Sequence, residues 1–390
     1  MRAAFIHDHR FLRDPISGKL FSNGGLSYST TSRYLRYFSS LVVVGREVRL
    51  GVAGETATLS PAEGEGVVVA GVPLGRVDLA ISRVRDSLRR ADCAVIRLPS
   101  LMGSIAVAEA RYLGLPYAVE IVGCIWDALV HHGKRSALLA APVGYAVTRA
   151  SVLSAPYAIY VSNEFLQRRY PCRGVTEACS DVVVDALEPA VLDARLRSIL
   201  EMRAVPRRPI RLGLVGSLDV DYKGHETALL AAAEMRRGGL DVRLSFLGRG
   251  GVRRWAKRAE ELGVMDCVSF DGSLPAGQPV RDWMDGLDVF VIPSLQEGLP
   301  RALVEAMSRG LPAVGSRVGG VVELIEPEML HAAKDSKGLA ALISSLLEKP
   351  GQLEMCATRN FDVARGYQRS VLDERRDRFW HRFCAYAGVR

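Results

Sequence analysis

The chain reads as an α/β protein of two domains, each built on a parallel sheet. Three observations point there. Short apolar runs alternate with amphipathic helical stretches along most of the sequence, which is the rhythm of βαβ units. Several of those runs stop on glycine just before a helix. And 390 residues are too many for one ordinary core and suit two.

Composition narrows the class. An apolar content of 48% with 7% aromatics describes a globular chain, not a disordered one. Lys and Arg number 51 against 43 Asp and Glu, a surplus of +8. That favours anionic partners: a nucleotide diphosphate, nucleic acid or an acidic membrane face. The absence of an RRM-like aromatic box, zinc-finger spacing or a long basic run argues against nucleic acid. The seven cysteines (93, 124, 172, 179, 267, 356 and 384) include no C-x-x-C pair, as expected of buried free thiols in a reducing compartment. The histidines show no metal-ligand spacing, and adjacent His131 and His132 would point apart, so no metal is expected. MRAAFIHDHR lacks the apolar core of a signal peptide and reads as a first strand. With no run near the ~20 apolar residues of a spanning helix, a cytoplasmic protein is expected.

In order, residues 3–6 form a strand, 7–23 a polar stretch, and 27–40 a helix. Gly24 and Gly25 then lie at a helix mouth, where bare backbone N–H groups can approach phosphate; an ordinary loop is the alternative. Strands follow at 47–52 and 67–72, a helix at 77–90, a strand at 94–96, a helix at 105–113 and a strand at 117–122. The loop after that strand carries Asp127 and, further on, His131. Either could face an acceptor hydroxyl, with helix capping for Asp127 and a surface position for His131 as the plainer roles. Residues 136–150 are strongly apolar, with Lys134 and Arg135 before them and Arg149 near the end. Pro142 and Gly144 interrupt this stretch, which favours a core or cleft-lining helix; rest on an anionic membrane is the other reading. A strand at 157–161 precedes Ser162, a good N-cap. From 186 to 209 the rhythm weakens, so the interdomain linker is placed there. The expected domains span 1–200 and 208–370, with a tail at 371–390.

The second domain restarts with a strand at 210–215 ended by Gly216. Lys223-Gly224 opens a helix, and a lysine at that mouth adds a full charge to the helix's positive end, which suits a diphosphate. The alternative is a solvated loop lysine. A strand at 242–247 ends in Gly248-Arg249-Gly250-Gly251, a nucleotide-loop pattern, and 267–270 leads into Asp271-Gly272-Ser273-Leu274. A short helix at 282–287 precedes the most informative stretch, VFVIPSLQEGLPRALVEAMSRGLPAVGSRVGGVVE at 289–323. It reads as strand 289–292, a loop with Glu297 and Gly298, a helix opened by Pro300, a strand at 312–314 and a Gly319-Gly320 turn. Ligands of parallel sheets sit beyond the carboxyl ends of the strands, where Glu297 and the Gly-Gly turn would lie. Glu305 falls on the second helical turn, on the face of Arg301. Two carboxylates so placed can grip two parts of a polyhydroxylated ligand. Alternatively Glu297 complements a helix end and Glu305 pairs with Arg301. A strand near 329, helices at 339–348 and 352–364, and an amphipathic tail at 371–386 complete the chain.

The run P-S-x-x-E-G-x-P-x-x-x-x-E-A-M-x-x-G-x-P, followed by G-G-x-x-E-L, resembles the signature of glycosyltransferase family 4. The resemblance implies the GT-B architecture: two Rossmann-like domains facing a central cleft, with the last helix crossing back onto the first. It implies retaining, metal-independent transfer of a sugar from a UDP- or GDP-type donor to a hydroxyl acceptor, with no cofactor beyond that donor. Glu297 would hydrogen-bond donor-sugar hydroxyls and Glu305 the ribose. Lys223 and the backbone of Gly24, Gly25, Gly298 and Leu299 would hold diphosphate or sugar, with Gly248, Ser273 and Leu274 lining the nucleotide site. Asp127 is the acceptor-side candidate. The family usually shows G-R-L ahead of K-G; here Ser217 stands where the arginine is expected, and serine supplies neither charge nor a bidentate fork. Either Arg249 or Arg317 compensates, or donor affinity falls. S-x-E-F-L-x-x-x-Y-P at 162–171 is similar to the same position in enzymes building bacterial polysaccharides, which suggests a lipid-linked oligosaccharide acceptor at the inner membrane face. Two rival functions share the plan: a non-hydrolysing nucleotide-sugar epimerase and a catalytically silent nucleotide-sugar-binding protein.

Overall fold

The computed structural model describes residues 1–51, 59–131, 134–204 and 208–389. The chain divides into two compact units, Met1–Cys179 with Glu374–Arg390, and Ser180–Asp373.

The first unit is organised on β1 (Arg2–Arg13). Its other strands are β2 (Leu20–Ser22), β3 (Ser40–Arg49), β4 (Ser60–Pro61), β5 (Val67–Pro73), β6 (Cys93–Leu98), β7 (Tyr117–Ile121), β8 (Tyr157–Tyr160) and β9 (Val175–Ala178). β5, β3, β1, β6, β7, β8 and β9 lie side by side and parallel, while β2 attaches antiparallel to the far end of β1 and β4 antiparallel to β2. The expected polar loop after residue 6 is therefore wrong as far as Arg13. The strand continues through a register shift between Ile6 and Arg10, because its polar residues find cross-strand partners. Arg13 binds Glu47 at 2.5 and 2.8 Å, and Arg46 binds Asp8 at 3.0 Å.

The helix expected over 27–40 shrinks to Tyr28–Thr31 and a 3-10 turn, Ser32–Arg36. Ser and Thr are weak helix formers, and Tyr34 and Phe38 are drawn instead onto Trp380 at centroid distances of 5.5 and 5.8 Å. Strand β3 starts at Ser40, and Val52, its expected end, lies outside the described residues. The last helix, Arg369–Gly388, joins the first unit from Glu374 onward, as expected. Phe379, Trp380 and Phe383 are buried there, and the Tyr37 hydroxyl donates to Asp377 at 2.5 Å.

The linker expectation is corrected. Pro189–Ala204 is a helix opened by proline, and it belongs to the second unit, so the first unit ends at Cys179 rather than 200. Arg195 holds it there, donating to the carbonyls of Leu287, Met284 and Arg309 at 2.6, 3.1 and 3.2 Å. Residues 205–207 of the expected linker lie outside the described set.

The second unit carries β10 (Ile210–Val215), β11 (Val242–Leu247), β12 (Val268–Phe270), β13 (Val289–Ile292), β14 (Ala313–Ser316) and β15 (Leu330–His331). They run parallel in the order β12-β11-β10-β13-β14-β15. Strand order reverses between β10 and β13, the place where doubly wound sheets bind ligands. Strands covered on both faces read as unbroken apolar runs, which is why Val289–Ile292, all buried, was visible in the sequence.

Candidate functional site

Three loops converge beyond the carboxyl ends of β10, β13 and β14. Gly216 follows β10, and a Cβ there would come within 2.9 Å of the Lys223 side chain; the lysine stem packs across the glycine. Gly224, at φ +79°, passes so close to Pro293 that a Cβ would lie 2.0 Å from its carbonyl oxygen. Leu295 N donates to Tyr222 O at 2.7 Å. The Asp221–Lys223 turn is thereby fastened to the loop bearing Glu297. Lys223 Nζ donates to Glu297 Oε1 at 2.7 Å, and the Ser294 hydroxyl donates to the same oxygen at 2.7 Å. The Glu297 side chain is only 8% exposed. From the other side Gly319, at φ +47°, brings its Cα against Glu297, with Gly320 N donating to Gly298 O at 2.9 Å.

A half-buried ammonium–carboxylate pair gives back much of its attraction in desolvation. A ligand offering an anion to Lys223 and a hydroxyl to Glu297 satisfies both groups again. Among the described residues Glu297 Oε2 accepts no hydrogen bond, and Lys223 has donors to spare.

Glu305 lies on the helix Arg301–Met307. It lines a cavity of about 520 Å³ with Asp185, Gln278, Arg281, Arg301 and Arg309; Glu297 is not part of that lining. The alternative reading, an Arg301–Glu305 ion pair, does not hold: no such pair forms. Burial raises the Glu305 pKa, and the charges of Arg301 and Arg281 pull it back. Arg281 pairs with Asp185 at 3.1 Å across this cavity. Sequence reasoning missed Asp185, Gln278 and Arg281; the only hint was that 276–281 follows the Ser273-Leu274 loop.

The remaining expected residues divide. Gly248 is demanded by packing, since a Cβ would sit 1.9 Å from Gly216 O. Ser273 and Leu274 are exposed on the loop after β12, and Leu299 packs partly against the core. Ser217 is exposed, its hydroxyl accepting from Asp219 N at 3.3 Å. Arg317, a suggested stand-in for the missing arginine, donates instead to Pro327 O at 3.1 Å. Arg249 is exposed.

Gly24, Gly25 and Asp127 belong to the first unit. Both glycines are exposed with open space where a Cβ would go, so the fold itself does not require glycine at either position. Asp127 sits in the first turn of Ile125–Val130 with Arg169 3.8 Å away. His131 folds back to donate to Asp127 O at 3.0 Å, and His132 lies outside the described residues. Sequence reasoning also missed a row on this unit. Arg97 pairs in register with Glu120 on neighbouring strands, and the Tyr34 hydroxyl donates to Glu120. Burial and the Arg97 charge lower the pKa of His7 to about 3. Among the described residues no three His, Cys, Asp or Glu side chains are grouped to hold a metal. All seven cysteines are free, five of them buried.

The family described as glycosyl transferases group 1 matches residues 209–349. Protein CapJ of Staphylococcus aureus is 30% identical over 359 residues, 90% of this chain and 87% of CapJ. Amylovoran biosynthesis glycosyltransferase AmsK of Erwinia amylovora is 32% identical over 170 residues, 41% of this chain and 40% of AmsK. Among solved structures, Anabaena HepE in complex with UDP-glucose superposes with a TM-score of 0.62 at 18% identity, covering 97% of this chain and 98% of that one. The last similarity carries the fold: two Rossmann-like units, the GT-B plan. The long match to CapJ, the family match over the second unit, and the loops gathered around Lys223 and Glu297 agree, and the chain belongs to the group 1 glycosyl transferases.

Proposed function

We propose that the chain transfers a hexose from a UDP-type nucleotide sugar to a hydroxyl acceptor with retention at the anomeric carbon. The acceptor in this reading is a lipid-linked oligosaccharide of a bacterial surface polysaccharide. The observation that carries it is the Lys223–Glu297–Ser294 group at the strand-order reversal of the second unit. Support for the donor comes from HepE, which was solved with UDP-glucose. Support for the pathway comes from AmsK, named for amylovoran biosynthesis.

Glu297 exchanges its bond with Lys223 for hydroxyls of the donor sugar, which frees the ammonium for the diphosphate. As the bond between the anomeric carbon and the diphosphate oxygen breaks, negative charge collects on that oxygen and Lys223 stabilises it. The acceptor hydroxyl attacks from the same face and gives its proton to the departing phosphate. The products are a retained glycoside and UDP. Glu305 and the Arg281 cavity receive the nucleoside, and Asp127 is the acceptor-side candidate. Lys223 and backbone N–H groups supply the positive charge, so no metal is required.

A silent-binder reading is favoured by one observation: Ser217 is exposed with no guanidinium in place of the expected arginine, and Arg317 is committed to a carbonyl. One experiment separates the two. Thermal unfolding is followed with UDP, GDP and ADP in EDTA, and UDP release and product anomer are then followed by NMR with a sugar donor. Stabilisation by UDP alone, followed by UDP release and an anomer matching the donor, supports transfer. Stabilisation without release supports the silent binder, and an inverted anomer removes retention.

A further inference from the structure

The apolar stretch at 136–150 is not a core helix, for it is largely bare. Helix Arg135–Leu153 buries Ala141, Thr148, Ser151 and Val152, and only 22% of its apolar stretch lies inside the protein. Leu139 is 80% exposed, Val143 65%, Leu138 53% and Val147 44%. Leu139, Val143 and Val147 recur every fourth residue, with Leu138 next to Leu139, and together they form one continuous stripe. Residues 136–148 contain no charged side chain, and the whole helix contains no acidic one. Trp126, itself 37% exposed, meets Tyr145 of the same helix at a centroid distance of 6.2 Å. An apolar patch of this kind on a water-facing surface marks a contact site.

Charge indicates what covers it. Lys134 and Arg135 stand exposed at one end of the helix and Arg149 near the other, and among the described residues none of the three has an acidic partner. Two copies joined through this face would bring cations onto cations with no carboxylate on the helix to answer them. An anionic lipid surface answers all three and accepts the apolar stripe and the indole between its headgroups. Nor does the helix cross a bilayer, although it is long and apolar enough. Gly144 packs against Ile125 and Leu129, at 3.2 and 3.4 Å from where a Cβ would stand, and the Tyr145 hydroxyl donates to Arg169 O at 3.0 Å. Its inner face is thereby bound to the first unit. We infer that the Leu138–Leu139–Val143–Val147 face, with Trp126 against the same helix and the basic ends around it, docks the protein flat on an anionic phospholipid membrane. The docking needs neither donor nor acceptor and stands apart from the reading of the active site.

The test is sedimentation of the purified full chain with vesicles of phosphatidylcholine alone, or with about 30 mol% phosphatidylglycerol. The expected result is at least ~10-fold stronger partitioning to the anionic vesicles at low salt, weakening as salt rises. Leu139→Glu with Val143→Glu should lower partitioning by ~10-fold or more with the melting temperature unchanged, since both side chains already face solvent. Lys134→Gln with Arg135→Gln and Arg149→Gln should erase the preference for the anionic lipid while leaving the fold intact. The inference is overturned if the wild-type chain stays in the supernatant with both vesicles, or if the two glutamates leave binding unchanged. It is equally overturned if the chain forms a dimer that the glutamates disperse while vesicle binding stays absent, which would assign the face to a second copy.

Discussion

Replacing Gly319 with alanine tests whether the Gly-Gly turn holds Glu297 in register with Lys223. Gly319 has φ +47°, and a Cβ built on it would stand 1.8 Å from Glu297 O, against a floor of 3.0 Å for real Cβ contacts. Backbone faces backbone, so no side chain can swing away, and one of the two loops must retreat by about 1.2 Å. Left-handed backbone costs a non-glycine residue about 1 kcal/mol before the clash is counted. The retreat also pulls on the 2.7 Å bond between Lys223 and Glu297. A displacement of about 1 Å at a reacting centre lowers rates roughly 10²-fold, or about 2.7 kcal/mol of barrier. Gly319→Ala should therefore lose ~100-fold in kcat/KM while unfolding only a few degrees earlier, since most of the sheet is untouched. Initial rates of UDP release and differential scanning calorimetry read the two effects. Wild-type kcat/KM with an unshifted melting temperature would refute the geometric argument, because the turn would then be free to absorb the methyl group.

Three further outcomes follow from the same site. Lys223→Met should lower kcat/KM by about 10²-fold or more, mostly through kcat, because charge on the leaving phosphate develops in the transition state; a loss confined to KM, in steady-state assays, would make Lys223 a binding residue only. Ser217→Arg should tighten UDP binding about 10-fold by adding a guanidinium where the chain has a neutral hydroxyl, as read by isothermal titration; unchanged affinity would mean that position 217 does not face the diphosphate. Acid should destabilise the second unit through His225. This ring lies fully buried between Phe246 and Trp255, and burial, then the Lys223 and Arg254 charges, lower its pKa to about 4 from 6.5. Its folded pKa is depressed, so the neutral ring's stabilisation is intact above pH 6.5 and is lost as pH falls toward 4, at most about 3 kcal/mol. Urea unfolding should show that slope in the wild type and a flatter one in His225→Phe.

Much of the second unit was legible in the residues themselves. Val289–Ile292 is apolar at every position because both its faces are covered, and Pro300 and Gly310 bracket the helix by backbone preferences that need no partner. Gly319 and Gly320 stood out because a close turn favours glycine, and Glu297 because it falls in the loop beyond the carboxyl end of a strand. What lies far apart along the chain was not legible. The strand from His7 to Arg13 exists because Arg13 meets Glu47, 34 residues on, and nothing in the local polar pattern announces that ladder. The helix Pro189–Ala204 joined the second unit through the Arg195 guanidinium and three distant carbonyls. Lys223 reached Glu297 across 74 residues, so the sequence could name both groups but not their bond. It put Glu297 at a helix mouth and Glu305 on the helix wall, but it could not name Arg281 and Asp185, which line the cavity beside Glu305. The apolar helix Arg135–Leu153 shows the limit most plainly. Its composition is the same for a core helix and a surface one, because burial belongs to whatever packs against a helix, and only tertiary structure decides that. By itself the sequence determined local conformation, strand rhythm and the chemistry on offer. Tertiary structure decided which of those groups meet, since pairing energies depend on distances in space that spacing along the chain does not encode.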